Sequence, residues 1–162
     1  MSRCVFRAMN LLSNDNGDIP DRFSEEVVLE KSAPVVWRHL VSHHEMRKWL
    51  GGDDYSVEVD TTWTIGSAIV IRGRHHLPFE NRGEILAFRP CKELSFTHLS
   101  SLSRLPDQPS SYTKLSFALE AAGSQTILKF EASGFPTMAI YRHLHFYWMG
   151  TLAVFKRYTE SR

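Results

Sequence analysis

The sequence TMAIYRHLHFYWMGTLAVFKRYT, residues 137–159, contains no proline and repeats apolar side chains at intervals of three and four residues. This spacing places the apolar side chains on one face of an α-helix, so the segment is predicted to form a long amphipathic helix. Gly150 lies within it, at a point where a helix can pack closely or bend slightly. The apolar stripe consists of Met138, Tyr141, His145, Trp148, Leu152 and Phe155, widened by Ile140, Leu144, Tyr147, Val154 and Tyr158.

Upstream of this helix, the sequence changes to segments in which apolar residues alternate with a period of two, the pattern of half-buried β-strands. Residues 121–124 join the last two segments and are predicted to form a hairpin turn. Hairpins in sequence imply an antiparallel sheet, and one face of that sheet should pack on the helix. Six strands are predicted, at residues 55–59, 68–74, 80–88, 93–99, 112–120 and 125–133.

Residues 23–30 are predicted to form one further strand, and two short helices follow it. The first helix starts at Ser32, whose hydroxyl can cap free N–H groups, and has Pro34 in its first turn, where the missing N–H costs nothing. The second helix covers residues 44–50 and ends at the glycine pair that begins with Gly51.

The predicted order is one strand, two short helices, six strands and one long helix, without the alternation of strands and helices that builds a doubly wound parallel sheet. The order therefore predicts an α+β fold, in which a curved antiparallel sheet of about six to seven strands wraps around the C-terminal helix. Residues 1–22 end in a polar, turn-rich stretch and are predicted to be a flexible N-terminal arm. Residues 23–162 are predicted to be the folded domain.

The composition is that of a globular protein, and its 162 residues suggest one domain. Hydrophobic residues make up 43% and aromatic residues 12%, enough for a large core or for the walls of an apolar pocket. A net charge of +1, without long basic runs, lacks the footprint of a nucleic-acid binder. No apolar run approaches the ~20 residues needed to cross a bilayer, so stable membrane insertion is not expected. The distant cysteines Cys4 and Cys91 fit a reduced, cytoplasmic setting, although one long-range disulfide is also compatible with them.

The sequence lacks the short motifs that carry metal or catalytic chemistry. His143 and His145 lie two residues apart in the predicted helix, so their side chains diverge by about 200° and cannot chelate one metal ion. Neither a Cys-x-x-Cys nor a His-Glu-x-x-His set occurs, and Gly-x-Ser-x-Gly and phosphate-binding glycine loops are also missing. We therefore predict no metal site and no cofactor, and a role other than catalysis is favoured.

A series of packing and turn positions from about Phe23 to the C-terminus carries a family resemblance. These positions are Ser32, Ala33, Pro34, Val36, Trp37, Leu40, Trp49, Trp63, Gly66, Gly83, Glu84, Ile85, Pro90, Glu93, Leu94, Ser95, Phe96, Thr97, Thr113, Lys114, Leu115, Gly123, Thr126, Leu128, Trp148, Leu152, Phe155 and Lys156. In order and spacing they resemble the START-like (SRPBCC) superfamily, and within it the branch related to activators of the 90-kDa heat-shock chaperone ATPase. The resemblance implies a helix-grip fold with an elongated cavity beneath the C-terminal helix.

The resemblance also implies where a ligand would bind, between the inner face of the sheet and one side of the last helix. Such sites are apolar with few polar groups, and each candidate taken singly could equally be a core residue. The candidate ligand-binding residues are Tyr141, His145, Trp148, Leu152, Leu144 and Phe155 from the helix, with Phe96, His98, Phe117, Phe130, Trp63 and Phe88 from the sheet and its loops.

His145 and Tyr141 are four residues apart and therefore share one face of the predicted helix. A buried imidazole needs a hydrogen-bond partner, which Tyr141 or His98 could supply. We interpret His145 as a satisfied core histidine; the alternative is a polar anchor for a ligand or an acid/base group.

Three functions stay open at this point, and the resemblance offers precedents for all of them. The first is binding of a small hydrophobic molecule, lipid-like or polyketide-like, in the cavity. The second is a cyclase- or hydrolase-type enzyme that uses the same cavity. The third is a protein-interaction module that contacts a chaperone partner, as a co-chaperone does. Binding of a hydrophobic ligand is the favoured prediction, because the sequence contains no catalytic motif and no feature that encodes a chaperone partner.

Overall fold

The computed structural model describes residues 17–51, 56–74 and 76–162, in which seven strands and three helices are found. The strands are β1 (Arg22–Leu29), β2 (Val57–Thr61), β3 (Ala68–Arg74), β4 (Pro78–Arg89), β5 (Glu93–Ser100), β6 (Thr113–Ala122) and β7 (Gln125–Ser133). The helices are α1 (Ala33–Val41), α2 (His43–Gly51) and α3 (Met138–Glu160).

The strands form one antiparallel sheet in the order β1-β7-β6-β5-β4-β3-β2, so β1 and β2 are its edges. The N-terminal strand thus lies beside the last strand, with Phe23 opposite Ala132. A register shift between Ile85 and Ala87 interrupts the pairing of β4 with β5, and such bulges bend and twist a sheet. The predicted α+β helix-grip fold is confirmed.

Helix α3 spans the inner face of the sheet. It starts after Thr137, whose hydroxyl accepts a hydrogen bond from the Ile140 N–H at 3.1 Å and so caps the helix. The Trp148 ring stacks on Phe130, with ring centres 4.7 Å apart, and meets Phe117 edge-on at 5.5 Å. These contacts place the aromatic centre of the helix directly over β6 and β7.

A buried polar network joins helices α1 and α2 to the end of α3. The His39 ring lies with Nδ1 3.2 Å from the Thr159 hydroxyl, and the Trp49 indole N–H donates to the His39 carbonyl at 2.9 Å. Nearby, the Tyr158 hydroxyl donates to the Glu45 carboxylate. Burial is the main cause that lowers the pKa of His39, so its neutral form is favoured. The network holds α2 beside α3, at one wall of the interior.

Several local details differ from the sequence predictions. Residues 1–16, most of the predicted arm, lie outside the described residues, as does Tyr55 of the predicted strand 55–59. Arg22 already belongs to β1, and Ile19 packs against the core. Ser32 occupies the N-cap position, but within the described part of the chain its hydroxyl makes no capping hydrogen bond, so that prediction is wrong.

The connection between β5 and β6 contains two short 3-10 turns, Ser101–Ser103 and Pro109–Ser111. This connection lies on the surface, since nearly all of its side chains are exposed or half-buried. Among the described residues, no helix combines the length and apolar character needed to cross a membrane.

Gly83 allows β4 and β5 to approach closely. A Cβ atom built on Gly83 would lie 1.6 Å from the Thr97 carbonyl oxygen, whereas a Cβ atom on the helical Gly150 would meet nothing within 4 Å. We expect Gly83→Ala to lower the free energy of unfolding by about 3 kcal/mol, because the strands must separate. Urea denaturation followed by circular dichroism measures this change.

The matched control is Gly150→Ala, which we expect to raise the free energy of unfolding by about 1 kcal/mol, since alanine is the better helix former. Equal stability of the Gly83→Ala variant and the wild-type protein would contradict the close approach of β4 and β5.

Candidate functional site

A cavity of about 40 Å³ lies where the sheet, α2 and α3 meet. Its walls come from helices α1, α2 and α3 and from strands β2 to β6. Most of the lining side chains are apolar. The lining residues are Leu40, Met46, Trp49, Leu50, Val57, Ile71, Phe79, Asn81, Leu94, Phe96, His98, Leu115, Phe117, Tyr147 and Trp148.

His98 on β5 is one of the few polar side chains in this lining. It lies opposite Thr113 of β6, so both side chains project from the same face of the sheet. Burial among protein atoms lowers the pKa of His98 to about 4, and the neighbouring His143 adds to the effect. The His98 side chain borders the cavity and is half-buried there. At neutral pH it is therefore an uncharged imidazole that can both donate and accept a hydrogen bond.

Two residues of α3 complete the site. Tyr147 keeps 38% of its surface exposed and forms part of the cavity rim. Burial raises the pKa of its hydroxyl, although a hydrogen bond with Thr151 opposes the rise. Trp148 is buried, and its indole nitrogen Nε1 has no hydrogen-bond partner among the described residues. Asn81 on β4 supplies an amide.

The structure places the twelve sequence-predicted site residues in three regions. Those that line the cavity are Phe96, His98, Phe117 and Trp148. Those buried in the surrounding core, outside the lining, are Leu144, Leu152, Phe155 and Phe130. Those half-buried away from the cavity are Tyr141, His145, Trp63 and Phe88. Contact with a ligand stays a prediction for all twelve.

His145 and Tyr141 lie on the β1 side of α3, away from the cavity. Their rings stack with centres 5.9 Å apart, and the edge of the His145 ring meets Phe23 at 4.9 Å. The histidine of α3 that contributes to the lowered pKa of His98 is His143, which projects from a different side of the helix than His145. The pair therefore packs against β1, and the polar residue that α3 presents at the cavity rim is Tyr147.

Trp63 and Phe88 form a separate aromatic group. Their rings stack with centres 5.4 Å apart, and Phe88 also contacts Trp37 of α1 at 5.2 Å. His43, at the start of α2, lies 5.8 Å from Trp63. This group packs against the core without bordering the cavity.

Sequence reasoning missed the wall that α2 and the outer strands contribute. For α2 the sequence contains a signal, because the spacing of Met46, Trp49 and Leu50 indicates an apolar helix face. Asn81 carried none, since an amide within a strand resembles any half-exposed position. Tyr147 belonged to the widened helix stripe, but only the rotation of α3 on the sheet shows that it borders the cavity.

A curved antiparallel sheet closed by a long C-terminal helix, with an apolar cavity between them, defines the helix-grip class with an SRPBCC-type fold. Within that class the chain belongs to the family described as "Activator of Hsp90 ATPase homolog 1-like protein", which matches residues 31–160. The resemblance noted from the sequence is thus confirmed. No curated protein matches the sequence.

Solved structures share the fold at low sequence identity. A protein of Chromobacterium violaceum is 16% identical, with a TM-score of 0.75 over 88% of this chain and 99% of its own. A protein of Cytophaga hutchinsonii is 23% identical, with a TM-score of 0.73 over 89% of this chain and 97% of its own. The Aha1 dimer from Colwellia psychrerythraea, known from a solution structure, is 20% identical, with a TM-score of 0.66 over 86% of this chain and 96% of its own. At these identities the likeness extends to the fold alone.

The lowered pKa of His98 predicts how stability depends on pH. Between pH 6.5 and about 4 the unfolded histidine binds a proton while the folded one does not, so stability falls as the pH falls through this window. The shift corresponds to about 3 kcal/mol, since one pKa unit is worth about 1.4 kcal/mol. We expect His98→Gln to lose less stability than the wild-type protein when both are taken from pH 7.5 to pH 4, as measured by urea denaturation.

Titration of the His98 ring protons by NMR checks the same prediction directly, because it needs no variant. A titration midpoint above pH 6 would contradict it.

Proposed function

We propose that this protein binds a small hydrophobic molecule in the cavity between the sheet and α3. The observation that carries the proposal is the lining, in which aliphatic and aromatic side chains surround a few polar groups. Such a composition is typical of sites for apolar ligands. Membership of the family is compatible with this role, which is common among proteins of the same fold.

The cavity must widen to admit such a molecule. Its volume of about 40 Å³ exceeds the space of one water molecule, but it is far below the volumes of about 300 Å³ and more that enclose typical ligands. Leu50 and Ile71 are half-buried and Tyr147 is more exposed, so these three lining residues have room to move outward. We propose that their side chains move apart when a ligand enters.

Binding is favoured over catalysis in this cavity. His98 is the lining histidine, and an imidazole with a pKa of about 4 is a weak base at neutral pH. Among the lining residues that the structure describes, there is neither a carboxylate nor a cysteine that could act beside it. His98 is therefore better suited to a hydrogen bond with a bound molecule than to proton transfer.

Blocking the rim tests the location of the site. We expect Leu50→Trp to fill the cavity from its half-buried edge and to weaken binding of toluene at least tenfold, about 1.4 kcal/mol. The measurement is an NMR titration of the full chain that follows the methyl resonances of Leu94 and Leu115.

The matched control is Ile65→Trp, which adds the same ring at an exposed turn outside the lining and should leave the affinity unchanged. If the wild-type protein shows no saturable shift with either toluene or acetophenone, or if the two variants bind toluene equally, the cavity is not the site.

We also propose, as a second candidate function, that α3 contacts a protein partner through its outer face. Phe146 is 84% exposed, and Met149 is exposed beside it on the helix surface turned away from the core. Exposed apolar side chains that lie together are typical of interaction surfaces. The family name refers to activators of the Hsp90 ATPase, so this chaperone is the partner to test.

The test is binding of the full chain to immobilised Hsp90, measured by biolayer interferometry. We expect Phe146→Ser to weaken the interaction at least fivefold, about 1 kcal/mol, because it removes an aromatic side chain that is 84% exposed. Leu102→Ser, an equivalent loss at an exposed site in another part of the fold, is the control. No binding by the wild-type protein, or equal losses in both variants, would contradict this candidate.

A further inference from the structure

The buried indole N–H of Trp148 lacks a hydrogen-bond acceptor. Trp148 is 5% exposed and borders the cavity, and Nε1 finds no partner among the residues 17–51, 56–74 and 76–162. An indole nitrogen can only donate, so what it lacks is an acceptor atom. Buried donors without a partner are rare and costly in folded proteins, which makes this group informative about what the cavity accepts.

Trp49 offers the contrast within the same cavity. Its ring also borders the cavity, but its Nε1 donates to the His39 carbonyl oxygen at 2.9 Å. The fold therefore satisfies one of these two tryptophan donors and leaves the other without a partner among the described residues, on a side chain that borders the cavity.

A second unpartnered polar atom lies on the same face of the sheet. The Thr113 hydroxyl is 1% exposed and has no partner within the described part of the chain. Thr113 pairs with His98, which borders the cavity and is uncharged at neutral pH. Thr113 lies beside His98 but outside the lining; His98, which borders the cavity, can both donate and accept a hydrogen bond and can therefore adapt to a neutral oxygen or hydroxyl group.

The described residues that line the cavity provide nothing to balance a charge. Within residues 17–51, 56–74 and 76–162, the lining contains no lysine, arginine, aspartate or glutamate, and the neighbouring His98 stays neutral. Moving a carboxylate or phosphate from water into such surroundings is costly, because no cation would pair with it. Free fatty acids and phospholipid head groups are therefore poor candidates for the buried end of a ligand.

We propose that the cavity, if it binds ligands as proposed above, selects neutral molecules with an apolar body and a carbonyl or hydroxyl oxygen, which accepts a hydrogen bond from Trp148 Nε1. The apolar lining receives the body of the molecule, and the oxygen lies towards α3. The selection acts against hydrocarbons, which leave the donor unpaired, and against carboxylates of the same shape, which carry an unbalanced charge.

Three probes with the same ring test this selection on the full chain at pH 7.5: toluene, acetophenone and benzoate. We expect acetophenone to bind at least fivefold more tightly than toluene, and benzoate at least tenfold more weakly than acetophenone. The indole N–H resonance of Trp148 should move downfield with acetophenone and not with toluene. This NMR measurement is made on the wild-type protein and does not depend on the folding of any variant.

Two matched variants assign the preference to one donor. Trp148→Phe keeps an aromatic ring and removes the N–H, so the preference for acetophenone over toluene should fall below twofold. Trp49→Phe removes a donor that is already paired within the protein. This substitution can weaken the binding of both toluene and acetophenone, but the ratio of their affinities should stay that of the wild-type protein.

The outcomes separate this inference from the proposed function. If neither toluene nor acetophenone binds, the proposed function fails and this selection fails with it. If both bind equally and the Trp148 resonance stays in place, the cavity binds apolar molecules but the selection is overturned. Benzoate that binds as tightly as acetophenone would also overturn it.

Discussion

The packing of Trp148 against the sheet is the contact on which the rest of the structure depends. Its ring lies 4.7 Å from Phe130 and 5.5 Å from Phe117, and these two rings are themselves 5.1 Å apart. Each such pair contributes about 1 kcal/mol beyond the burial of its area. This aromatic group holds α3 across the middle of the sheet, and thereby determines which residues of α3 face the core, β1 and the cavity.

The same side chain connects stability with the proposed function. It is part of the core and borders a space that the surrounding side chains do not fill, while its N–H has no hydrogen-bond partner among the described residues. A donor left unpaired costs about 1–3 kcal/mol, which a more complete core would avoid. The protein tolerates this cost at the place where sheet, α2 and α3 meet. We regard this unpaired donor, together with the unfilled space that the Trp148 side chain borders, as the physical reason to assign a binding role to the cavity.

The sheet and its helix depend on patterns that many sequences can meet. In this chain, these patterns are the alternation in the strands, the wide apolar stripe of α3 and a glycine where β4 and β5 approach closely. None of them determines the chemistry of the cavity lining, so function does not follow from the fold alone.

The order of elements, the antiparallel sheet and the apolar face of α3 could be predicted from the sequence, because strand and helix periodicities are local properties. These patterns and the family resemblance also brought together Phe96, His98, Phe117 and Trp148. The position of Tyr147, and not His145, at the cavity could be read only from the folded chain, since it depends on the rotation of α3 about its own axis against the sheet. That rotation results from the packing of many side chains at once, and no short segment encodes it.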